Sequence, residues 1–280
     1  MQPKEIFLCA ICNISSGSCK EDCKFCTQSI KHRASIEHYR QKDISLIVDE
    51  AKKAYKNKAL GFCLVTAGKE LDDAKLEFVC KATKAVKKEV PNLHIIACNG
   101  IATLERLKEL KKSGVDIYNH NLETSKEYYQ NICTTMDWDE RYETCQRVKE
   151  ANLELCSGGI FGIGESKADR VSFVKSLKSL NPTTLSINFF HPDSALNLNQ
   201  NTLDVDIALD IIRYLKREIQ NSRVMIAGGR EVTFKNRVGE IFEAGVDAIV
   251  VGDYLTKGGD EPDKDIQMLQ SLGLKIAQNC

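Results

Sequence analysis

Three cysteines near the start of the chain, Cys19, Cys23 and Cys26, are separated by three and then two residues. Cysteine thiolates are ligands of iron–sulfur clusters and of zinc. This spacing lets three thiolates converge on three corners of a cubane and leaves the fourth iron open to another ligand. A structural zinc site is the alternative, because His32 and His38 could complete a set of four ligands.

The composition narrows the class of protein that carries this motif. The chain has 280 residues with 12 cysteines, and its 39 Lys and Arg are balanced by 39 Asp and Glu. A balanced charge gives no sign of binding to nucleic acid or to an anionic membrane. The apolar run near the N-terminus, about six residues, is too short for a signal peptide or a membrane span. We therefore expect a cytoplasmic protein, in which reduced cysteines serve metal binding or catalysis rather than disulfides.

The elements that must position these residues follow a repeating pattern. Short β-branched runs alternate with amphipathic helical stretches, and the predicted strands cover residues 6–14, 61–66, 94–98, 115–119, 153–159, 184–190, 223–227 and 248–252. Eight such units in about 250 residues predict a (β/α)8 TIM-type barrel. We expect a single domain over residues 1–280, with a short C-terminal helix at about 264–278. Functional residues of such a barrel lie on the loops that follow the strands.

Three further cysteines, Cys63, Cys98 and Cys156, lie on the second, third and fifth predicted strands. A single buried cysteine is usually a small packing residue. Three that all point inward from neighbouring strands would meet in the barrel lumen, where they could hold iron and sulfide. We assign no role to the cysteines in helices, loops and the C-terminus, which are Cys80, Cys133, Cys145 and Cys280.

The cysteine loop, its place after the first strand and the repeat resemble the radical S-adenosylmethionine (SAM) enzymes. In these enzymes the open iron of a [4Fe–4S] cluster binds the amino and carboxylate groups of SAM. Within that superfamily, the stretch CKEDCKFCTQS is similar to the biotin synthases. So are four later stretches in the same order, FCLVTAG at 62–68, YNHNLETS at 118–125, CSGGI at 156–160 and GGRE at 228–231. The resemblance spans about residues 5–275 and implies radical sulfur insertion that converts dethiobiotin to biotin.

The resemblance gives the strand cysteines a role as ligands of an auxiliary iron–sulfur cluster, usually [2Fe–2S], which supplies the sulfur. Well-known family members complete this cluster with an arginine on the seventh strand, where this chain has Met225. Arg223 lies on the same side of the strand but about 7 Å away. Our hypothesis is that Cys9, on the first strand, replaces the arginine and gives an all-thiolate cluster that could differ in nuclearity.

The resemblance also implies a set of residues that contact SAM. Backbone carbonyls of Thr66, Ala67 and Gly68 would meet its ammonium group. The ribose would contact Asn121 and Glu123, although an aspartate is more usual than Glu123. The remaining contacts would be Phe25, Ile160 and Ile163 around the adenine, and Arg141 to the SAM carboxylate. Arg141 is at the start of a predicted helix whose predicted cap is Asp137.

Dethiobiotin presents a cyclic urea and a carboxylate to its enzyme. Asparagine can offer a urea both a donor and an acceptor, so the urea contacts are predicted to be Asn119, Asn121 and Asn188. Thr256 and Lys257 are the predicted carboxylate contacts. We expect no protein side chain to act as a general acid or base, because the reaction needs none.

The resemblance implies a reduced flavodoxin or ferredoxin as electron donor, and the chain is expected to form homodimers. Two other functions stay open. Another radical SAM enzyme, such as a methylornithine synthase or a hydrogenase maturase, would share the loop and barrel but need not have the three strand cysteines together. A non-enzymatic iron–sulfur electron carrier would leave most of the barrel unexplained.

Overall fold

Eight parallel strands close into a barrel in the computed structural model, which describes residues 4–256 and 258–279. The strands are β1 (Glu5–Asn13), β2 (Gly61–Val65), β3 (His94–Cys98), β4 (Ile117–Asn119), β5 (Glu154–Phe161), β6 (Thr184–Phe189), β7 (Arg223–Ile226) and β8 (Ala248–Val250). Each pairs with the next, and β1 pairs with both β8 and β2, so the sheet has no open side between them. The predicted (β/α)8 fold is confirmed.

Helices follow the strands and cover the outside of the barrel. They are α1 (Ile44–Lys56), α2 (Asp73–Glu89), α3 (Leu104–Ser113), α4 (Lys126–Tyr129), α5 (Trp138–Glu150), α6 (Lys167–Leu180), α7 (Val205–Glu218), α8 (Arg230–Phe234), α9 (Glu240–Ala244) and α10 (Pro262–Ser271). In the part of the chain that the structure describes, none is both long and apolar enough to cross a bilayer.

Short polar side chains fix where most of these helices begin. Asp72 accepts from the Lys75 N–H at the start of α2, and Asp137 accepts from the Asp139 N–H at the start of α5. Such bonds satisfy N–H groups that have no partner within the helix. The predicted cap at Asp137 is therefore confirmed, and it sets the position of Arg141 one turn into α5.

The strands alternate between two apolar regions. Residues such as Leu8, Phe62 and Tyr118 face outward into the main core against the helices. The inward positions form a separate lumen cluster that includes Val65, Ile96, Ile117, Met225, Ala248 and Val250 together with cysteines. Because side chains on a strand alternate between its two faces, every second residue reaches the lumen.

The C-terminal helix is shorter than predicted. It ends at Ser271, because Gly273 has a φ of 68° and the Leu274 N–H returns to the Leu269 carbonyl at 3.0 Å. A left-handed glycine of this kind ends a helix. The chain then forms β9 (Lys275–Ile276), which pairs with the first two residues of β1. The predicted extension of the helix to about residue 278 was wrong.

Candidate active site at the mouth and in the lumen of the barrel

The cysteine loop, residues 18–30, follows β1 and folds back on itself. The Cys19 N–H donates to the Gln28 carbonyl at 3.2 Å, and the Ile30 N–H donates to the Cys19 carbonyl at 2.9 Å. The Cys26 N–H donates to the Cys23 carbonyl at 3.1 Å. These bonds hold the three cysteines in one compact turn.

Two histidines and one carboxylate fix this loop to its surroundings. His32 Nε2 lies 3.0 Å from the Cys23 carbonyl oxygen, and His38 Nδ1 lies 3.0 Å from the Gly17 carbonyl oxygen. Burial alone would raise the pKa of Asp22, but hydrogen bonds from Thr134, Cys133 and Thr135 lower it well below its ordinary value. Both histidines of the zinc alternative therefore have backbone partners at hydrogen-bond distance.

The thiols of the loop suit a cluster better than a single ion. Burial raises the pKa of Cys26 to about 12, and the neighbouring Cys19 and Glu123 add to this while the Gln28 N–H and Arg141 oppose it. Thiols that stay protonated in the metal-free protein ionise when a metal supplies positive charge. Among residues 4–256 and 258–279, no three Cys, His, Asp or Glu side chains are close enough to share one ion. A cluster instead gives each thiolate its own iron.

Four further thiols, which we call the lumen thiols, meet inside the barrel: Cys9, Cys63, Cys98 and Cys156. A hydrogen bond with Cys98 raises the pKa of Cys63, as do burial and the charges of Cys98, Cys156 and Cys9. Burial likewise raises the pKa of Cys156, with contributions from Cys9 and Cys98. The donor set is entirely soft sulfur in an apolar lumen, which fits iron and sulfide.

Cys9 and the two seventh-strand residues lie at the lower end of the lumen. A small cavity of about 30 Å³ is lined there by Cys9, Cys156, Arg223 and Met225. The Cys9 sulfur lies over Gly61, where an added Cβ would approach it to 2.9 Å. The Arg223 guanidinium stacks on the Phe7 ring, with its carbon 3.6 Å from the ring centroid. Cys9 therefore neighbours two lumen thiols, Cys63 and Cys156, whereas the Arg223 charge acts on Cys156.

A central cavity of about 320 Å³ opens above the lumen thiols and below the cysteine loop. Its lining includes Cys26 from the loop and Cys63 and Cys98 from the lumen. The predicted contact residues that also line it are Phe25, Asn119, Asn121, Glu123, Ile160, Asn188 and Thr256. Residues from seven different strands or the loops after them thus converge on one space.

The polar wall of the central cavity has unused hydrogen-bonding capacity. Asn119 Oδ1, Asn121 Oδ1 and Glu123 Oε2 are buried and have no hydrogen-bond partner. The backbone of Glu123 also has a φ of 70°, a conformation that costs free energy for any residue other than glycine. Buried polar atoms without partners cost free energy, so this wall fits a polar ligand such as the ribose of SAM or a urea.

Arg141 lies behind this wall rather than on the central cavity. Its Nη1 donates to the Asn121 carbonyl at 2.9 Å and lies 3.7 Å from Glu123 Oε1, and its Nε donates to the Tyr129 hydroxyl at 2.6 Å. Its charge also lowers the pKa of Cys26, against the effect of burial. Arg141 therefore holds the polar wall of the central cavity in place and adds positive charge near the cysteine loop.

Other predicted contacts are arranged differently. Asn188 lines the central cavity, but its amide is engaged, since Oδ1 accepts from the Gly228 N–H at 2.8 Å and Nδ2 donates to the Gly159 carbonyl at 3.3 Å. Thr66, Ala67, Gly68 and Ile163 do not line the central cavity, and Ile163 is fully buried in the main core.

The segment after β2 nevertheless touches the cysteine loop. Burial raises the pKa of Cys19, and the backbone N–H of Gly68 opposes this through a hydrogen bond to the thiol. The loop after β8 also meets the cysteine loop, because the Thr256 and Thr27 hydroxyls lie 2.5 Å apart. Lys257 lies outside the described residues.

Gln28 and Tyr254 are among the residues of the central cavity that were not predicted from the sequence. Gln28 accepts from the Gly17 N–H at 2.6 Å, which turns its Nε2 donor to a buried position without a partner. Tyr254 lines the cavity and donates to both carboxylate oxygens of Glu231, at 2.8 and 3.0 Å. Gln28 follows Cys26 by two residues, and this closeness was the only available signal.

His120, between two predicted contact residues, is a neutral structural side chain. Burial lowers its pKa well below the ordinary value, and the charge of Arg141 acts in the same direction. Its carbonyl accepts from the Cys145 thiol at 3.2 Å behind β5.

Two protein-family models and several named relatives match this chain. One family model, the radical SAM superfamily, matches residues 13–177, and another, the Biotin and Thiamin Synthesis associated domain, matches residues 186–275. Relatives named biotin synthase are 59% identical over 276 residues in Campylobacter lari, 56% over 276 residues in Nitratiruptor sp. and 55% over 280 residues in Aliarcobacter butzleri. Each alignment covers at least 99% of this chain and 99% of the relative.

Solved structures of two other enzymes share the fold. A hydrogenase maturase from Carboxydothermus hydrogenoformans superposes with a TM-score of 0.83, 18% identity and coverage of 96% of this chain and 67% of that chain. A methylornithine synthase gives a TM-score of 0.80, 17% identity and coverage of 98% and 84%. At these identities the likeness concerns the barrel alone.

Proposed function

The chain belongs to the biotin synthase family of the radical SAM superfamily, and on that premise we propose that its barrel inserts sulfur into dethiobiotin to form biotin. One observation carries the proposal, namely that a single cavity is lined by Cys26 of the cysteine loop and by Cys63 and Cys98 of the lumen. A substrate in that cavity would lie between a source of radicals and a source of sulfur.

The cysteine loop would hold the [4Fe–4S] cluster through Cys19, Cys23 and Cys26, and the lumen thiols would hold the auxiliary cluster. When bound, the first cluster supplies the electron that cleaves SAM to start hydrogen abstraction, and the second supplies sulfur. The protein itself binds, orients and shields the reactants, and its buried site keeps a radical away from water.

For SAM, the contacts that support the proposal are Asn121, Glu123 and Ile160 on the central cavity and the Gly68 backbone beside Cys19. Phe25 lines the same cavity and is free to stack on adenine. Arg141, fixed behind Asn121 and Glu123, would attract the SAM carboxylate near the cluster.

Glu123 makes SAM binding dependent on pH. Burial raises its pKa above the ordinary 4.5, against the opposing charge of Arg141. As pH falls through this raised pKa, the carboxylate takes up a proton and ceases to be a charged acceptor for the ribose hydroxyls. We expect SAM affinity to fall with it, and Glu123→Gln to bind SAM about tenfold more weakly at neutral pH.

Equilibrium dialysis of SAM under anaerobic conditions, from neutral pH down through the raised pKa of Glu123, checks the prediction. Glu123→Gln should show a flat profile, whereas the exposed Glu143→Gln should follow the unmodified chain. Parallel profiles for the unmodified chain and Glu123→Gln would show that Glu123 does not contact SAM.

Dethiobiotin would occupy the part of the central cavity nearer the lumen. The unpartnered Asn119 Oδ1 and Asn121 Oδ1 are suitable acceptors for urea N–H groups. The side-chain amide of Asn188 is held by the Gly159 carbonyl in β5 and by the Gly228 N–H after β7. Asn188 would therefore shape this part of the cavity with a fixed side chain. Thr256 and Lys257 stay the proposed contacts of the substrate carboxylate.

We propose Cys9 as the fourth ligand of the auxiliary cluster, which would then be a thiolate variant of [2Fe–2S] or a larger cluster.

Cys9→Ala should change the Mössbauer spectrum and the iron and sulfide content of the auxiliary cluster while the other cluster keeps its signal. Cys12→Ala is the matched control, because Cys12 lies on the same strand but in the outer core. Adding Met225→Arg to Cys9→Ala should recover a two-iron cluster. Identical spectra for Cys9→Ala and the unmodified chain would exclude Cys9 as a ligand.

The electron donor would dock beside the cysteine loop. Lys20, Lys31 and Arg33 are exposed around Ile30, whose side chain is 57% exposed. A basic surface with an apolar centre suits an acidic electron carrier, and we propose a reduced flavodoxin or ferredoxin.

The dependence on reduced thiols supports a cytoplasmic location, and the homodimer stays a prediction.

Anaerobic incubation of the reconstituted chain with SAM, reductant and dethiobiotin tests the function. We expect both 5′-deoxyadenosine and biotin, with biotin limited to one per auxiliary cluster in the absence of repair. Deoxyadenosine without biotin would favour another radical SAM reaction. Intact clusters with neither product would favour an electron carrier.

A further inference from the structure

Cys133, on the segment between α4 and α5, lies against one of the three cysteines of the loop. Its Sγ is 3.3 Å from Cys23 Sγ, and both side chains are buried, with 1% and 7% exposure respectively. A disulfide needs about 2 Å between its sulfur atoms. The Cys23 thiol is therefore within hydrogen-bond distance of the Cys133 sulfur, and a disulfide would bring the two atoms about 1 Å closer.

The backbone on both sides of Cys23 is tied to the segment that carries Cys133. The preceding residue, Asp22, accepts from the Thr134 and Thr135 N–H groups at 2.9 and 3.1 Å. The following residue, Lys24, donates its N–H to the Ile132 carbonyl at 2.9 Å. Because these bonds flank both cysteines, they hold the two sulfur atoms opposite each other.

We propose that Cys23 and Cys133 are a redox modification site, at which peroxide converts the cluster-free chain to a Cys23–Cys133 disulfide. Hydrogen peroxide, a two-electron oxidant, would first oxidise one thiol of the pair to a sulfenic acid with release of water. The sulfur of the other cysteine then attacks this sulfenic acid, forms the S–S bond and displaces a second water. In sum, two thiols and one peroxide give one disulfide and two waters.

The disulfide would stop Cys23 from advancing to sulfinic acid, which thiol reductants do not reverse. A dithiol reductant would return both thiols, so that the loop could be reloaded with iron. This protective consequence rests on the proposed role of Cys23 as a cluster ligand, whereas formation of the disulfide does not.

Peptide mapping of the full-length, cluster-free chain tests the proposal. After treatment with one equivalent of hydrogen peroxide and blocking of free thiols, trypsin should release residues 21–24 joined to residues 127–141. Each of these peptides contains one cysteine, since Lys20, Lys24, Lys126 and Arg141 are the cleavage sites. Cys133→Ser should lose this joined peptide, and Cys145→Ser, with a buried thiol elsewhere, should keep it.

Iron content after recovery gives the second measurement. Following peroxide, reductant and reconstitution, the unmodified chain and Cys145→Ser should regain their iron, whereas Cys133→Ser should regain several-fold less and carry sulfinic acid at Cys23. Pairing of Cys23 with Cys19 or Cys26, or equal loss of reloading with and without Cys133, would overturn the proposal. A joined peptide in a chain that makes no biotin would refute the proposed function but leave this site intact.

Discussion

Replacing Cys156 with alanine should abolish biotin formation while SAM cleavage to 5′-deoxyadenosine continues. Cys156 is 2% exposed and lies among the lumen thiols, away from the cysteine loop. In the proposed arrangement this change leaves the auxiliary cluster one thiolate ligand short, whereas the three cysteines of the loop are unchanged. Since even outer partners of a metal site are worth about 10- to 100-fold, loss of a ligand should lower biotin yield by at least about 100-fold.

Product analysis by mass spectrometry measures SAM cleavage and sulfur insertion separately. The Cys156→Ala chain should still form deoxyadenosine, with iron and sulfide reduced by the content of the auxiliary cluster. Cys145→Ala is the control, because Cys145 is equally buried but lies behind β5, against the His120 carbonyl. Biotin formation by Cys156→Ala near the unmodified level would show that the lumen thiols do not hold the source of the sulfur.

Strand periodicity explains why the lumen could be predicted and other parts of the site could not. Cys63, Cys98 and Cys156 lie on strands whose alternation sends them inward, so their meeting follows from the closure of the sheet. Cys133 lies on a loop, and its contact with Cys23 depends on hydrogen bonds that Asp22 accepts from the N–H groups of Thr134 and Thr135, 112 and 113 positions later. No local pattern in the sequence encodes such a contact.

Arg141 illustrates a similar limit for side chains. Its position in α5 follows from the Asp137 cap, which the sequence predicts. The direction of its guanidinium depends instead on Tyr129 and the Asn121 carbonyl, which come from two other segments. The helix could therefore be predicted, but the hydrogen bonds that turn Arg141 toward the polar wall of the central cavity could not.

A buried ion pair links the loop after β7 to the C-terminal helix. Arg230, at the start of α8, donates to both carboxylate oxygens of Asp265 in α10, at 2.6 and 2.7 Å. The two side chains are 1% and 2% exposed. Arg230 also lies 3.0 Å from Glu231, which accepts from Tyr254 on the central cavity. The pair therefore holds both the C-terminal helix and one wall of the cavity.

Asp265→Asn should lower the free energy of unfolding by about 3 kcal/mol, because the buried Arg230 loses its bidentate counterion and keeps only the contact with Glu231. Urea denaturation of the cluster-free chain measures this as a lower midpoint with an unchanged slope. Arg237→Met, which removes a solvent-exposed pair with Glu240, should change the midpoint little.

The double variant Arg230→Met/Asp265→Leu discriminates between the charge and the volume of this pair. It removes both buried charges and should recover much of the lost stability. The double variant also lacks the contact from Arg230 to Glu231, which accepts from Tyr254 on the cavity wall. Its affinity for dethiobiotin should therefore be lower than that of the unmodified chain. Recovery of both stability and affinity would mean that Tyr254 is held by packing alone. No difference in stability between Asp265→Asn and Arg237→Met would mean that water reaches the pair.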